Sequence, residues 1–321
     1  MTEFEATPPS PSEPTHTWDS RINGLLFLFT IGSVFWAGHL LMTLSGPVAP
    51  EDANWLSGWP FAVPFLLILL FHEFGHWIAA RMHSVPASLP YFLPLPFLSP
   101  FGSLGAIIVM PERIRSRNAL LDVGAAGPLA GMLIAIPTMV IGLSLSEVHP
   151  VLPGGYWQEG QSLLYWLIKR LVLGPMPEGY DVHLHPTAFA AWGGFLITMI
   201  NMLPWGQLDG GHIAYALLGE RHHQIARWVR YSLPPLFLYN VWVFVVPVVR
   251  GDATMTYAVA LSNSAFWLMW FIMTGLMGRF FGAQHPPCEP GELSPRRRLI
   301  AVATLGLFVA LFMPTPFAQF E

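Results

Sequence analysis

Charge is what this sequence lacks most. Only 11% of its 321 residues are Asp, Glu, Lys or Arg, where soluble domains carry about 25%. Cysteine is nearly missing too: Cys288 stands alone, which excludes an intrachain disulfide and a cysteine-based zinc knuckle. No basic, aromatic-interleaved stretch is present, so nucleic acid is not an expected partner. The net charge of −4 says little more about partners. Apolar residues fill the space instead, at 53% of the chain and a mean hydropathy of +0.50. Several runs approach or exceed the roughly 20 apolar residues that span a bilayer. The expectation is an all-α polytopic membrane protein in a lipid bilayer. Its first apolar run lacks a convincing small-residue cleavage site and reads as a retained span, not a removed signal peptide.

Seven transmembrane helices are expected, at about 23–44, 59–82, 119–145, 186–200, 231–249, 256–281 and 298–316. Pro234, Pro235 and Pro247 interrupt the fifth. Residues 1–20, rich in Pro and Ser and acidic, read as a disordered tail, and 21–58 as the first span with its loop. Between the second and third spans, Pro86, Pro90, Pro94, Pro96 and Pro100 exclude a regular helix, yet the stretch is almost chargeless. With the short β-type segment Phe101–Met110 it predicts a re-entrant loop or β-hairpin; an ordinary surface loop is the alternative. Small residues from Gly124 to Gly131 suit close helix packing. Asp122 reads as a helix N-terminal charge in preference to a site residue. Ser162–Leu173 fits an amphipathic helix on the membrane surface. With the N-terminus in the cytoplasm, twelve of the fifteen basic residues fall on the cytoplasmic side, a strong positive-inside bias.

The chemistry concentrates at Phe71-His72-Glu73-Phe74-Gly75-His76, inside the second apolar run. His72 and His76 are four apart, so on a helix both imidazoles project from one face and can grip one ion. Glu73 is placed to take a proton from a water on that ion. A central acid in a span costs roughly 2.5–3.5 kcal/mol on insertion scales, which favours a working site over a satisfied polar core. A catalytic zinc takes three protein ligands. Asp209, after the fourth span and beside Gly210-Gly211, is the best third donor at the same depth, although an N-cap for the following helix is an open alternative. His183 and His185 fall on the far side. His212 is less well placed, and His222 and His223 sit in a basic loop and read as solvated. A distant Glu is a rival third ligand, but Glu147 and Glu178 are on the wrong side and Glu220 lies beyond the next helix.

His72-Glu73-x-x-His76 on one span and Asn201-x-x-Pro204-x-x-x-Leu208-Asp209-Gly210 at the end of another resemble the paired signatures of the site-2 protease family, the intramembrane zinc metalloproteases of peptidase family M50. Gly102–Gly105 and Ala126-Gly127-Pro128 resemble the pieces between them. The resemblance implies one Zn2+ per chain on His72, His76 and Asp209, Glu73 as general base, and Asn201 on the substrate backbone or the oxyanion. It makes 59–220 a catalytic three-helix core and 221–321 the C-terminal helices, with the active site toward the cytoplasm. No room is seen for a PDZ-type insertion between the motifs or for a nucleotide-sensing domain after the last span, as in the compact branch of the family. The implied substrate is a membrane-anchored protein with a transmembrane helix, often a single-span regulator such as an anti-sigma factor. An unwound segment of it could be held by strand addition at Gly102, Ser103, Leu104 and Gly105. The alternative is a non-catalytic metal-binding protein, an inactive relative or a metal carrier, which would have no use for Glu73. The sequence carries no signal for an oligomeric state.

Overall fold

The computed structural model describes residues 18–44, 54–110, 113–150, 156–251, 255–282, 284–289 and 291–320. The expected tail therefore falls mostly outside the described residues, as do residues 45–53 of the loop expected after the first span. Helix α1 covers Ser20–Leu44 and α2 Trp59–Met82. Pro60 sits in the first turn of α2, where its missing N–H breaks no helical bond. Strands β1 (Tyr91–Pro94) and β2 (Ser103–Ile107) follow, then α3 (Arg117–Ser144), capped by the Ser116 hydroxyl accepting from the Ala119 N–H. Beyond it come β3 (Glu147–Pro150), β4 (Tyr156–Glu159), α4 (Leu163–Leu173) and β5 (Tyr180–His183). The remainder is α5 (Pro186–Asn201), α6 (Asp209–Leu218), α7 (His222–Val249), α8 (Tyr257–Ser264), α9 (Phe266–Met277), α10 (Pro295–Leu311) and β6 (Phe317–Phe320).

Four described stretches are long and apolar enough to cross a membrane, namely α1, α2, α3 and the α6–α7 stretch Asp209–Val249; the α8–α9 pair, bent by 45°, makes a fifth if counted as one span. The chain is thus a mostly helical integral membrane protein. Two of the seven expected spans are not among these stretches: α5 has 16 residues and α10 has 17. The fifth expected span differs in another way. Helix α7 begins at His222, well before 231, and continues through Pro234, Pro235 and Pro247. Prolines are tolerated in apolar helices when neighbouring helices or local adjustment take up the freed carbonyls.

Helices α2, α3 and α5 form the centre of the molecule, each packed on the other two. Small residues set their spacing. A side chain on Gly75 of α2 would come within 2.5 Å of the Ala126 carbonyl on α3. Phe65, Ile68, Met139, Leu143, Trp192 and Phe195 fill the space between the three helices and are almost wholly buried. Helix α5 is nearly enclosed along its length, which leaves it little lipid to face.

The proline-rich stretch is a hairpin. β1 and β2 pair antiparallel, Tyr91 with Ile107 and Phe92 with Ala106, with an irregularity before Pro94–Ser103. Asn23 of α1 donates to the Leu89 and Pro90 carbonyls, and the Phe101 ring stacks on Phe65 of α2. At the hairpin's turn Gly102 adopts φ +74° against the Ser33 backbone, a conformation and an approach that a side chain would obstruct.

Two further strand pairs, hard to foresee, complete the fold. β3 pairs antiparallel with β5, and β4 with β6. Four-residue strands without clear alternation leave little trace in a sequence. They flank α4, whose Ser162 cap accepts from the Tyr165 N–H. Lys169 turns inward to Asp181 at 3.2 Å and Glu159 at 3.8 Å, and the Tyr165 hydroxyl donates to Glu159. Burial pushes the Glu159 carboxyl up despite the neighbouring ammonium. Leu163, Trp166, Leu167 and Leu171 face outward and are exposed.

Candidate metal centre

Three elements meet at one point. Helix α2 presents His72 and His76 from successive turns, and their Nε2 atoms lie 3.2 Å apart. Asp209, the first residue of α6, brings Oδ2 to 3.2 Å from His72 Nε2 and Oδ1 to 3.3 Å from His76 Nε2. Among the described residues this is the one group of three or more potential ligands drawn so close together. The N-cap alternative for Asp209 falls away, because the cap position is Leu208 and no side chain caps this helix.

The donor set fits Zn2+. Ligand bonds of about 2.0–2.1 Å in a tetrahedron put donor atoms about 3.3 Å apart, and the three measured separations lie at that value. The Nδ1–H of His76 donates to the Val123 carbonyl of α3 at 2.7 Å. That bond fixes the tautomer and leaves the Nε2 lone pair for a metal. Asp209 Oδ2 is buried without any hydrogen-bond donor, an arrangement costly for a carboxylate unless a cation meets it.

Helix α3 makes room for these rings. A side chain on Gly127 would overlap the His76 ring at Nε2, and one on Gly131 would press on His72 Cβ at 3.2 Å. The small residues of α3 thus cradle the imidazoles as well as admitting a neighbouring helix. Read from the sequence alone, Gly127 and Gly131 suggest only close packing, since the same spacing serves both purposes.

Glu73 is 5% exposed, with His72, His76 and Asp209 as its electrostatic neighbours. The Asn201 side-chain nitrogen, at the end of α5, lies 3.4 Å from His72 Nε2. His72, Glu73, His76, Asp209 and Asn201 are therefore brought together. Gly102, Ser103, Leu104 and Gly105 are in the hairpin instead, where Ser103 donates to the Leu93 carbonyl and Leu104 is exposed.

Two sequence expectations change here. Asp122 is not a simple helix-end charge: Arg297 of α10 and His83 after α2 both bind it, at 2.6 and 2.8 Å. His222 is not solvated; it is fully buried near Tyr215 and His285. Its place depends on the segment before α10 folding back over α6, a contact between positions far apart in the chain.

Comparison with known proteins agrees with this geometry. A model of peptidase family M50 matches residues 60–232, more than half of the chain. The probable chloroplastic zinc metalloprotease EGY1 of Arabidopsis thaliana is 35% identical in an alignment of 231 positions that covers 64% of this chain and 41% of the relative. Its rice namesake is 33% identical in an alignment of 233 positions that covers 64% of this chain and 39% of the relative. The probable chloroplastic zinc metalloprotease EGY2 of Arabidopsis thaliana is 36% identical over 168 residues, 51% and 29% of the two chains. The chain spans about two fifths of the length of the EGY1 relatives. No solved structure matches it. With the family's span lying over α2 to α7 and enclosing both histidines and Asp209, the chain belongs to peptidase family M50, the site-2 protease family of zinc metalloproteases.

Proposed function

We propose that this protein is an intramembrane zinc endopeptidase that cuts the transmembrane segments of membrane-anchored proteins. The observation that carries the reading is the convergence of His72, His76 and Asp209, with Glu73 beside them, among helices apolar enough to cross a bilayer. Residues 59–220 are the catalytic core in this reading. Zn2+ held by the three side chains would supply a Lewis acid toward water and the scissile carbonyl. Glu73 takes a proton from the attacking water and delivers it to the departing amide nitrogen. Asn201 offers side-chain N–H groups beside His72, where they can donate to the substrate's carbonyl oxygen.

The substrate must expose its backbone, because helical carbonyls are already hydrogen-bonded. The hairpin suits that need. Its strand β2 carries exposed Leu104 and Ile107 and can add an extended segment by main-chain hydrogen bonds. Proline in place of Gly105, where φ is +99°, cannot keep this backbone. Losing one or two such bonds predicts roughly tenfold slower cleavage, with zinc retained. Unchanged turnover in Gly105→Pro would remove the hairpin from the mechanism.

The same proposal includes seven crossings, with the N-terminus and the metal centre toward the cytoplasm and the hairpin re-entrant. Enclosure of α5 by α2 and α3 supports a short fourth span, since a helix that meets little lipid need not match its thickness. The 17 residues of α10 sit at the lower limit of about 17–25 for a crossing. The outward apolar face of α4 suits the far membrane surface.

The test uses purified full-length protein in liposomes with a tagged single-span protein. One zinc per chain is expected, with cleavage stopped by 1,10-phenanthroline and restored by added Zn2+. Cleavage that survives complete removal of the metal would overturn the reading.

A further inference from the structure

We infer that His285, outside the stretch matched by the family, is a positioning residue for Asp209, holding the first turns of α6 in the geometry that binds metal. The inference rests on the ligand assignment proposed above. His285 is 5% exposed and attached to α6 in two ways. Its ring stacks on Tyr215, with centroids 4.3 Å apart and planes at 18°, and its Nε2 lies 2.8 Å from His212 Nδ1. Asp209, His212 and Tyr215 are spaced three apart on one helix, so they occupy neighbouring positions on its surface.

The direction of the hydrogen bond follows from the other ring nitrogen. His285 Nδ1 faces the Pro286 carbonyl at 2.7 Å, and a carbonyl only accepts, so the proton is on Nδ1. Nε2 then carries the lone pair, and His212 donates to it. Burial pushes the His285 imidazole down to about 4, which keeps the ring neutral and this direction intact at pH 7.

His285 is itself anchored, which lets it transmit position instead of following α6. Its segment is tied to the approach of α3 by the Glu289 N–H donating to the Arg115 carbonyl at 2.8 Å and by the Cys288 thiol facing the Ile114 carbonyl. Arg117 completes the tie, donating to the Gly291 carbonyl and to the Ala216 carbonyl of α6. On its inner side α6 is pressed against α3, where a side chain on Gly124 would come within 2.9 Å of His212 Cβ. The helix that carries Asp209 is thus held between α3 and this strap. No side-chain cap secures its first turn, so the strap supplies a constraint that capping does not.

The experiment measures metal binding alone, on the full chain in detergent micelles, using Zn2+ competition with a chelating dye and the visible absorption of the Co2+ form. The variants are His285→Ala, His285→Gln and Asp209→Ala. Removing a partner behind a ligand weakens metal binding by about 10-fold to 100-fold, and His285→Ala is expected at the low end, with an altered Co2+ spectrum. The Gln side chain can accept from His212, so His285→Gln is expected to restore most of the affinity and the native spectrum. Native affinity and spectrum in His285→Ala, whatever its melting temperature, would overturn the inference. Equal losses in the Ala and Gln variants would overturn it too, as general loosening. If His285→Ala does not fold, Tyr215→Leu removes the stack alone and is expected to shift the same spectrum; an unshifted one counts against the role. Full zinc retention in Asp209→Ala would instead defeat the ligand assignment beneath it.

Discussion

Alanine at Gly127 is expected to cost the protein its zinc while leaving it folded. A methyl group there would clash severely with His76 Nε2. Non-bonded heavy atoms settle about 3.5–4.0 Å apart, so the imidazole would have to retreat by on the order of 1 Å or more. The bond from His76 Nδ1 to the Val123 carbonyl and the one-turn spacing of the histidines leave it nowhere to go with its lone pair still on the site. The cost to the fold is small by comparison: overpacking costs about 1–3 kcal/mol, and Ala is favoured over Gly in a helix by about 1 kcal/mol. The expected outcome is zinc content well below one per chain, activity lower by at least 100-fold, and a melting temperature within several degrees of the parent's metal-free form. Gly131→Ala is the graded control. Its methyl group would meet His72 Cβ at 3.2 Å, a contact that a small shift relieves, and a partial loss is expected. Full zinc in Gly127→Ala would show that His76 does not present Nε2 to a metal.

Glu73→Gln is expected to be the most damaging substitution that keeps the metal. The amide matches the carboxylate in shape and leaves His72, His76 and Asp209 untouched, but it cannot take a proton. General base catalysis contributes about 10²–10⁴-fold, equivalent to about 2.7–5.5 kcal/mol in the barrier, and kcat should fall by that factor with KM little changed. In cells at matched expression, single-span membrane proteins should accumulate uncut only with the variant, which would also name the substrates. A variant as active as the parent would remove Glu73 as the general base.

The metal centre was more legible than its surroundings, and the reasons are physical. His72 and His76 are four apart in an apolar run, so one helical turn brings them together whatever the rest of the chain does. Asp209 required a second step, because only membrane depth linked it to the histidines across the intervening helices. Gly127 was visible as a small residue but not as a cradle, since a glycine's sequence neighbours do not reveal what fills the space it leaves. His285 and His222 were misplaced or overlooked for a related cause: their partners lie on other elements, and no local period records such contacts. The prolines of α7 misled in the opposite direction, because breaking rules learned in water weaken where neighbouring helices can take up the freed carbonyls.

Pairing of β4 with β6 joins the middle of the chain to its last described strand. Ribosomes add about 5–20 residues per second, so Glu159 waits on the order of ten seconds or longer for Phe317 to be made. Late in that interval α2, α3 and α5 have all been made, while Phe317–Phe320, the partner of β4, has not. His285 and the rest of its strap arrive late as well. A nascent chain therefore holds both histidines and Asp209 before it holds the parts that steady them. Synthesis order thus separates the making of the ligand-bearing helices from the making of the segments that pack against them.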